Sequence, residues 1–191
     1  DYLTLTMHDI YTFAKEVEID DVKELLDQMI ACNTAIAQEG MHGDYGANIG
    51  KVIAIRKDLP SLLKAYAAAG SDARMNGCEL PVVINSGSGN QGLTVSVPLI
   101  IYAEREHLDK EKLYRALVIS NLTAIHLKTE IGRLSAFCGA VSAGAACGAG
   151  LAYLKDASEE VMNHTIVNAL AITSGIICDG AKPSCAAKIA S

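Results

Sequence analysis

The chain has 191 residues, of which 50% are apolar and 20% are charged, and its 22 acidic and 16 basic side chains give a net charge of −6. This length and composition predict one domain with a substantial core and exclude a disordered chain. The acidic balance argues against a protein whose main task is to bind nucleic-acid phosphates. Because there is no Trp and only two Phe residues, we expect a core of Ala, Leu, Ile and Val in which small residues let helices approach closely.

The first half of the chain carries hydrophobic residues at helical spacing. Thr6 is the expected cap of a helix over residues 8–17, and Asp20 is the expected cap of a second helix that stops near Gly40. The glycine-rich stretch 41–50 predicts a loop, or a loop that enters a short helix. A further helix is expected from Pro60 to about residue 69, since proline suits a first helical turn.

The middle of the chain is ambiguous in its local pattern. Residues 82–84 are Val, Val and Ile and resemble a strand, whereas the Ser- and Gly-rich residues 86–92 predict a loop. Residues 93–104 suit either a strand or a helix, and Pro98 argues against a central strand. We interpret them as a helix, because the surrounding segments are helical and there is no comparable second strand to pair with.

The last part of the chain again indicates helices. Asp109 opens a long one, and an Ala- and Gly-rich helix follows over residues 135–154. Asp156 or Ser158 caps the next helix, and Pro183 begins a short final one. The fold class predicted is therefore all-α: a single compact helical domain with a buried Ala/Gly-rich helix and glycine-rich loops.

The uncharged stretch 134–154 is long enough to span a bilayer. Its small side chains favour a buried helix that its neighbours approach closely, so no membrane association is expected. The first residues, Asp1-Tyr2-Leu3-Thr4, have neither the basic region nor the apolar run of a signal peptide. We therefore expect a cytoplasmic protein, and the start at Asp rather than Met predicts a piece of a longer polypeptide.

Six cysteines are available for chemistry in a reducing compartment, where metal binding or catalysis is a better prediction than disulfides. Cys178 and Cys185 flank a turn that contains Gly180 and Pro183, and the first turn of a helix at Cys185 favours its thiolate. Such thiolates suit a soft metal or an iron–sulfur cluster. Cys138, at the start of the Ala/Gly-rich helix, is a third candidate ligand, and the alternative for all three is ordinary packing.

Two other segments are candidates for binding and proton transfer. The loop over residues 85–92 offers free amides, hydroxyls and carboxamides, which form an anion cradle suited to a small carboxylate. It has no Lys-Ser/Thr ending and so matches no phosphate loop; the alternative is a plain glycine-rich turn. His42, in the glycine-rich stretch, is a candidate acid–base residue, and the alternative is a surface histidine.

Four motifs together resemble a known family: residues 75–81 (Met-Asn-Gly-Cys-Glu-Leu-Pro), 85–92, 138–139 (Cys-Gly) and 177–186 (Ile-Cys-Asp-Gly-Ala-Lys-Pro-Ser-Cys-Ala). They are similar to the L-cysteine desulfidase family, formerly UPF0597, which is related to the α chain, or catalytic domain, of the iron–sulfur L-serine dehydratases. The resemblance covers nearly the whole chain. It implies that residues 1–191 are a catalytic-domain fragment, the C-terminal and helical part of a longer protein.

The resemblance also implies an oxygen-sensitive 4Fe–4S cluster held by three cysteines, with one iron open to the substrate; aerobic preparation can leave it out. Cys138 and Cys178 match two cluster ligands. The third is either Cys185 or a cysteine of the N-terminal region that this chain lacks. The carboxylate of the substrate is expected at a loop formed by the following residues: Ser86, Gly87, Ser88, Gly89 and Asn90.

The function expected from this resemblance is β-elimination from L-cysteine to pyruvate, ammonia and sulfide, with L-serine as the alternative substrate. An open iron would activate the leaving group, and a base, for which His42 is the candidate, would take the α-proton. A catalytically incomplete domain for amino-acid binding or assembly stays open, as does a zinc site on the same thiols. The expected partners are a small amino acid and either further copies of the chain or its missing N-terminal region, with no nucleic acid.

Overall fold

The structure is a computed structural model that describes residues 4–129, 131–132, 135–173, 178 and 180–191. Within these residues the secondary structure is helical, and the predicted all-α fold is confirmed. The helices are α1 (Met7–Glu16), α2 (Ile19–His42), α3 (Ile49–Ala54), α4 (Leu59–Met75), α5 (Gly89–Arg105), α6 (Lys110–Leu127), α7 (Gly139–Leu154), α8 (Glu159–Thr173) and α9 (Cys185–Ala190).

Helix α5 lies at the centre of the fold and packs against α2, α4, α6 and α7. Every residue from Gly89 to Ile101 is buried, so this helix has no solvent-facing side along that length. Pro98 lies inside it, which confirms the helical interpretation of residues 93–104. The Ala/Gly-rich α7 packs against it, and Ala143 and Ala146 of α7 belong to one buried hydrophobic cluster with Val95 of α5.

Several helices begin at a residue whose side chain caps them. Thr6 forms a capping box with Asp9, and Asp109 accepts a hydrogen bond from the Lys112 N–H. The predicted limits of α2 are wrong at both ends: the helix begins after Glu18 rather than at Asp20, and it continues through Gly40 to His42.

Gly40 does not end α2 because its role is packing between helices. A Cβ atom at this position would overlap the carbonyl of Ala69 on α4. The absence of a side chain therefore lets the two helix backbones touch, as the small-residue composition predicts. This contact serves the tertiary fold, which overrides the helix-stopping tendency of glycine.

We expect Gly40→Ala to lower the free energy of unfolding by about 1–3 kcal/mol, because the added methyl group meets backbone that cannot rotate away. Gly144→Ala is the matched control: Gly144 lies on α7 with no atom near the added Cβ, so helix propensity should stabilise the chain by about 0.5–1 kcal/mol. Urea titrations followed by circular dichroism measure both. Equal effects of the two substitutions would contradict the close contact between α2 and α4.

The predicted strand at residues 82–84 is not formed. The Asn33 side chain on α2 binds both polar backbone groups of Val83: Val83 N donates to Oδ1 at 2.8 Å, and Nδ2 donates to the Val83 carbonyl at 3.2 Å. The same Nδ2 also donates to the Gly92 carbonyl and to Ser96 Oγ on α5. A buried side chain thus replaces the partner strand that the sequence pattern had suggested.

Two further boundaries differ from prediction. The loop expected over residues 86–92 ends at Ser88, which caps α5, so Gly89 is already helical. The Ala/Gly-rich helix begins at Gly139 and not near residue 135.

In the part of the chain that the structure describes, no helix combines the length and the hydropathy needed to cross a bilayer.

Candidate functional site

The loop before α5 is a tight turn fixed at both ends. Asn85 N donates to the Ser88 carbonyl and Ser88 N donates to the Asn85 carbonyl. Ser86 and Gly87 between them have φ of 49° and 80°, a left-handed conformation that suits glycine at position 87. The Asn85 Nδ2 group donates to the carbonyl and the side chain of Asn121 on α6, so the turn is tied to the core.

This turn forms one wall of a cavity of about 280 Å³. Ser86 and Gly87 line it from the loop, and Lys128, the residue at the end of α6, is also among its lining residues. The Lys128 side chain is buried, with the residue only 5% exposed. The remaining lining residues in the described chain are Ile84, Ile125, Thr129 and Gly132.

The other three predicted carboxylate-binding residues have structural contacts. Ser88 Oγ accepts a hydrogen bond from the Gln91 N–H and caps α5. Gly89 is buried where a side chain would overlap Arg74. Asn90 is also buried, and its Oδ1 accepts from Arg74 and from Ser71 Oγ on α4. Within the described chain, Ser86 and Gly87 line the cavity and these three residues do not, and carboxylate binding by all five stays a prediction.

Cys138 lies next to the beginning of α5. It is the N-cap of α7 and is buried. Its neighbour Gly139 faces Gln91, whose side chain fills the space that a Cβ at Gly139 would need. Gln91 is itself buried, and its Oε1 has no hydrogen-bond partner among the residues that the structure describes. The thiol-bearing N-terminus of α7 is therefore in contact with the first turn of α5, which follows the Ser86–Gly87 turn directly.

Cys178 and Cys185 lie in the last part of the chain. The Cys178 N–H donates to the carbonyl of Ala136, which places its backbone beside the segment that leads to Cys138. Cys185 is the first residue of α9, and its Sγ accepts from the Lys182 N–H at 3.5 Å. Across the described residues, no group of three or more His, Cys, Asp or Glu side chains is arranged to hold a metal ion.

The donor chemistry of these residues nevertheless fits a soft metal centre. Three thiols are available without disulfide bonds, and Cys138 and Cys178 belong to segments that are hydrogen-bonded to each other. Cys147 on α7 does not fit, because burial raises the pKa of its thiol to about 12 and keeps it protonated near neutral pH. The third ligand stays open between Cys185 and a cysteine outside this chain.

The rate of alkylation should distinguish the buried thiol of Cys147 from the exposed thiol of Cys178. We expect Cys147 to react with iodoacetamide at least ~30-fold more slowly than the exposed Cys178, because its raised pKa leaves little thiolate and greater intrinsic nucleophilicity offsets this only in part. Timed labelling followed by peptide mass spectrometry measures both rates in the same sample. Urea-unfolded protein, in which the two thiols should react alike, is the control. Comparable rates in the folded chain would contradict the burial of Cys147.

His42 lies at the C-terminal end of α2 and not in a loop, which corrects its predicted setting. Its ring is exposed, and Nδ1 donates to the Gln38 carbonyl at 2.7 Å. In the neutral ring, Nε2 therefore carries the lone pair. His42 is not among the described residues that line the cavity beside Ser86, and its acid–base role stays a prediction.

The positions of two side chains in this region could not be predicted from the sequence. Lys128 follows a helical apolar pattern at a position where lysine is ordinarily solvated, so its burial has no signal in the sequence. Gln91 belongs to the Ser/Gly-rich run, but its contact with Gly139 joins residues 48 positions apart. Only the fold brings these groups to the turn at Ser86.

Comparison with known proteins identifies relatives of this chain. The chain is 61% identical to a UPF0597 protein of Desulfitobacterium hafniense over 97% of its own length and 44% of that protein. UPF0597 proteins of Lachnoclostridium phytofermentans and Finegoldia magna are 56% and 53% identical, over 100% and 99% of this chain and 46% of each relative. The chain thus spans less than half the length of these relatives. No solved structure matches it. The family model for the serine dehydratase alpha chain matches residues 3–191, and the chain therefore belongs to the serine dehydratase alpha chain family.

Proposed function

We propose that this chain is the substrate-binding and cluster-holding part of an iron–sulfur lyase that eliminates sulfide from L-cysteine, yielding pyruvate and ammonia. The observation that carries the proposal is the contact between Gln91 and Gly139. It joins the helix that follows the Ser86–Gly87 turn to the helix that begins at Cys138. A loop suited to a carboxylate and a thiol suited to a metal are thereby held in one part of the fold.

Cys138 and Cys178 are the proposed cluster ligands, with Cys185 or a cysteine outside this chain as the third. A bound 4Fe–4S cluster would supply a Lewis acid for the group that leaves the β-carbon. The protein contributes donors with the required softness, because thiolates are the usual ligands of such clusters. The hydrogen bond from Cys178 N to Ala136 keeps two of the thiol-bearing segments together.

The chain's own residues bind the substrate and move its proton in this proposal. Ser86 and Gly87 lie at the cavity wall in a tight turn, and backbone amides of such a turn suit a carboxylate. Orienting the carboxylate fixes the direction of the α-hydrogen, as an acid–base reaction requires. His42, which is not among the described residues that line this cavity, is the candidate base carried over from the sequence, and Nε2 would be its accepting atom because Nδ1 is bonded to Gln38.

L-serine is the second candidate substrate, because the matching family model is that of the serine dehydratase alpha chain. The decisive experiment uses the complete native protein that contains this chain, reconstituted anaerobically with iron and sulfide. Pyruvate release from L-cysteine and from L-serine is compared at equal protein concentration, and sulfide is measured in parallel. A zinc-loaded sample is the control for metal identity.

We expect a higher kcat/KM for L-cysteine, with one sulfide released for each pyruvate. A higher kcat/KM for L-serine would make L-serine the proposed substrate and leave the proposed reaction class unchanged. Binding of either amino acid without turnover in a sample with a full cluster would overturn the lyase proposal in favour of a binding or assembly domain. Turnover supported only by zinc would overturn the proposal of an iron–sulfur cluster.

A further inference from the structure

We infer that an apolar groove between α7 and α8 is the docking surface for the remaining part of the polypeptide, which the complete protein has outside residues 1–191. The inference goes beyond the proposed function, because it concerns an interaction surface and does not depend on the reaction. The relatives described above have more than half of their length outside the region that this chain matches. A second part of that size needs a surface on this domain to pack against.

Helix α8 has an apolar outer half. Glu159 and Glu160 lie in its first turn, whereas residues 165–173 contain no charged side chain. The buried residues of this helix are Met162 and Ile166. A helix on the surface of a globular protein ordinarily carries polar and charged residues on its outer face. The second half of α8 therefore faces outward without the side chains that suit water.

Large apolar side chains are exposed on this half of α8, which packs mainly against α7. Val167 is 60% exposed and Ile172 is 86% exposed. A single exposed apolar residue is ordinary on a protein surface, whereas a contiguous apolar patch marks an interaction site. Ile172 also lines a cavity of about 440 Å³, so the exposed apolar surface continues into a concave one.

The side of this cavity that α7 provides is made of small residues. Gly144 is exposed on α7, and a Cβ atom there would meet no neighbouring group within 4 Å. Gly148 and Leu151 continue the same face of the helix. The groove is defined by Ala140, Gly144, Gly148 and Leu151 on α7 with Ala169 and Ile172 on α8. Its open space lets the backbone of an apolar segment approach α7 closely.

The charge distribution of the groove favours a permanent occupant. Neither α7 nor α8 contributes a charged side chain to the described lining, and its lysines, Lys64 and Lys188, lie on α4 and α9. Transient partners are commonly steered by complementary charges, whereas permanent interfaces are more apolar. The remaining part of the polypeptide is present in every molecule at a high effective concentration, so it suits this surface better than a separate partner does.

Photo-cross-linking of the complete native protein identifies the occupant. The photoreactive amino acid p-benzoyl-L-phenylalanine replaces Ile172, and cross-linked peptides are identified by mass spectrometry. The matched control has the same replacement at Leu25, an exposed apolar residue on α2. We expect position 172 to cross-link to peptides outside residues 1–191 in the same polypeptide, with a higher yield than position 25. The yield should not depend on protein concentration, because the contact is intramolecular.

Hydrogen exchange of the α8 amides tests the same contact without a cross-linker. In the complete native protein, we expect Ile172→Asp to raise the exchange rates of residues 167–173 by about 10-fold or more, because a carboxylate is unfavourable in an apolar interface. Without an occupant, the substitution would fall at an exposed position, where changes have small effects. Leu25→Asp is the control and should leave the exchange of α8 unchanged.

Three results would overturn the inference: cross-links from position 172 confined to residues 1–191, a cross-linked dimer, or unchanged α8 exchange in a folded Ile172→Asp variant. The dimer would show that a second copy occupies the groove. Equal cross-linking yields from positions 172 and 25 would also overturn it, since the contact would not be specific to the groove. If Ile172→Asp does not fold, the cross-links decide. Neither readout needs turnover or a metal, so failure of the proposed function would leave both results unaffected.

Discussion

Replacing Cys178 by Ser in the complete native protein is expected to lower kcat/KM for L-cysteine by more than about 100-fold and to reduce the iron bound per chain. The loss should exceed the 10- to 100-fold effect typical of residues that support a metal ligand from outside, because a serine hydroxyl is a poor ligand for a soft centre. Iron content, charge-transfer absorbance and pyruvate release measure the effect in one reconstituted sample.

The matched control for this substitution is Cys147→Ala, which removes a thiol that burial holds protonated and that packs in the main hydrophobic cluster. It should retain the iron content and the activity of the native protein. Equal activity of Cys178→Ser and the native protein would remove Cys178 from the ligand set. Equal losses in both variants would show that the effect comes from disturbed packing.

Asn33→Ala is expected to lower the free energy of unfolding by about 3 kcal/mol, because it leaves the N–H and the carbonyl of Val83 without their side-chain partner and removes a buried link to α5. The Asn33 side chain connects α2 to Val83 and to the α5 residues Gly92 and Ser96. Its removal should also loosen the segment before the Ser86–Gly87 turn. Urea unfolding measures the first effect, and amide exchange at Val83 and Ile84 measures the second.

Asn168→Ala is the control for this prediction, since Asn168 is exposed on α8. Alanine there should change stability by less than about 0.5 kcal/mol. A similarly small effect at Asn33 would mean that water replaces its hydrogen bonds. Normal protection of the Val83 amide in Asn33→Ala would contradict the anchoring role of this side chain.

Most of the helices can be predicted from the sequence, because capping residues and hydrophobic spacing lie within the helical segments themselves. Thr6 and Asp109 cap helices with their own side chains, and hydrophobic spacing identifies the segments that follow. The errors occur where a distant residue decides the structure. A glycine such as Gly40 is typical of a helix end, but here it packs on Ala69. A valine such as Val83 is typical of a strand, but its backbone N–H donates to the Asn33 side chain. Neither partner can be inferred from the local sequence.

At the candidate site, too, some features follow from the local sequence and others depend on distant residues. The Ser/Gly-rich run predicts a turn, and Ser86 and Gly87 lie in it. Asn90 looks like a loop donor in the sequence, yet it is a buried helical residue bonded to Arg74 and Ser71. The burial of Lys128 depends on how the end of α6 meets the turn, which no spacing rule describes. Residue types at the site are thus readable from the sequence, whereas the direction of each side chain is not.

The enclosure of α5 determines how the neighbouring turn can move. Because α5 is buried along Gly89–Ile101, we expect its amide protons to exchange with solvent through global unfolding rather than local opening. The Ser86–Gly87 turn enters this helix directly and is tied to α6 through Asn85. Its donors are therefore ordered before any ligand arrives, so little conformational entropy is lost on binding. A ligand of the cavity meets a preorganised surface rather than one that it must fold.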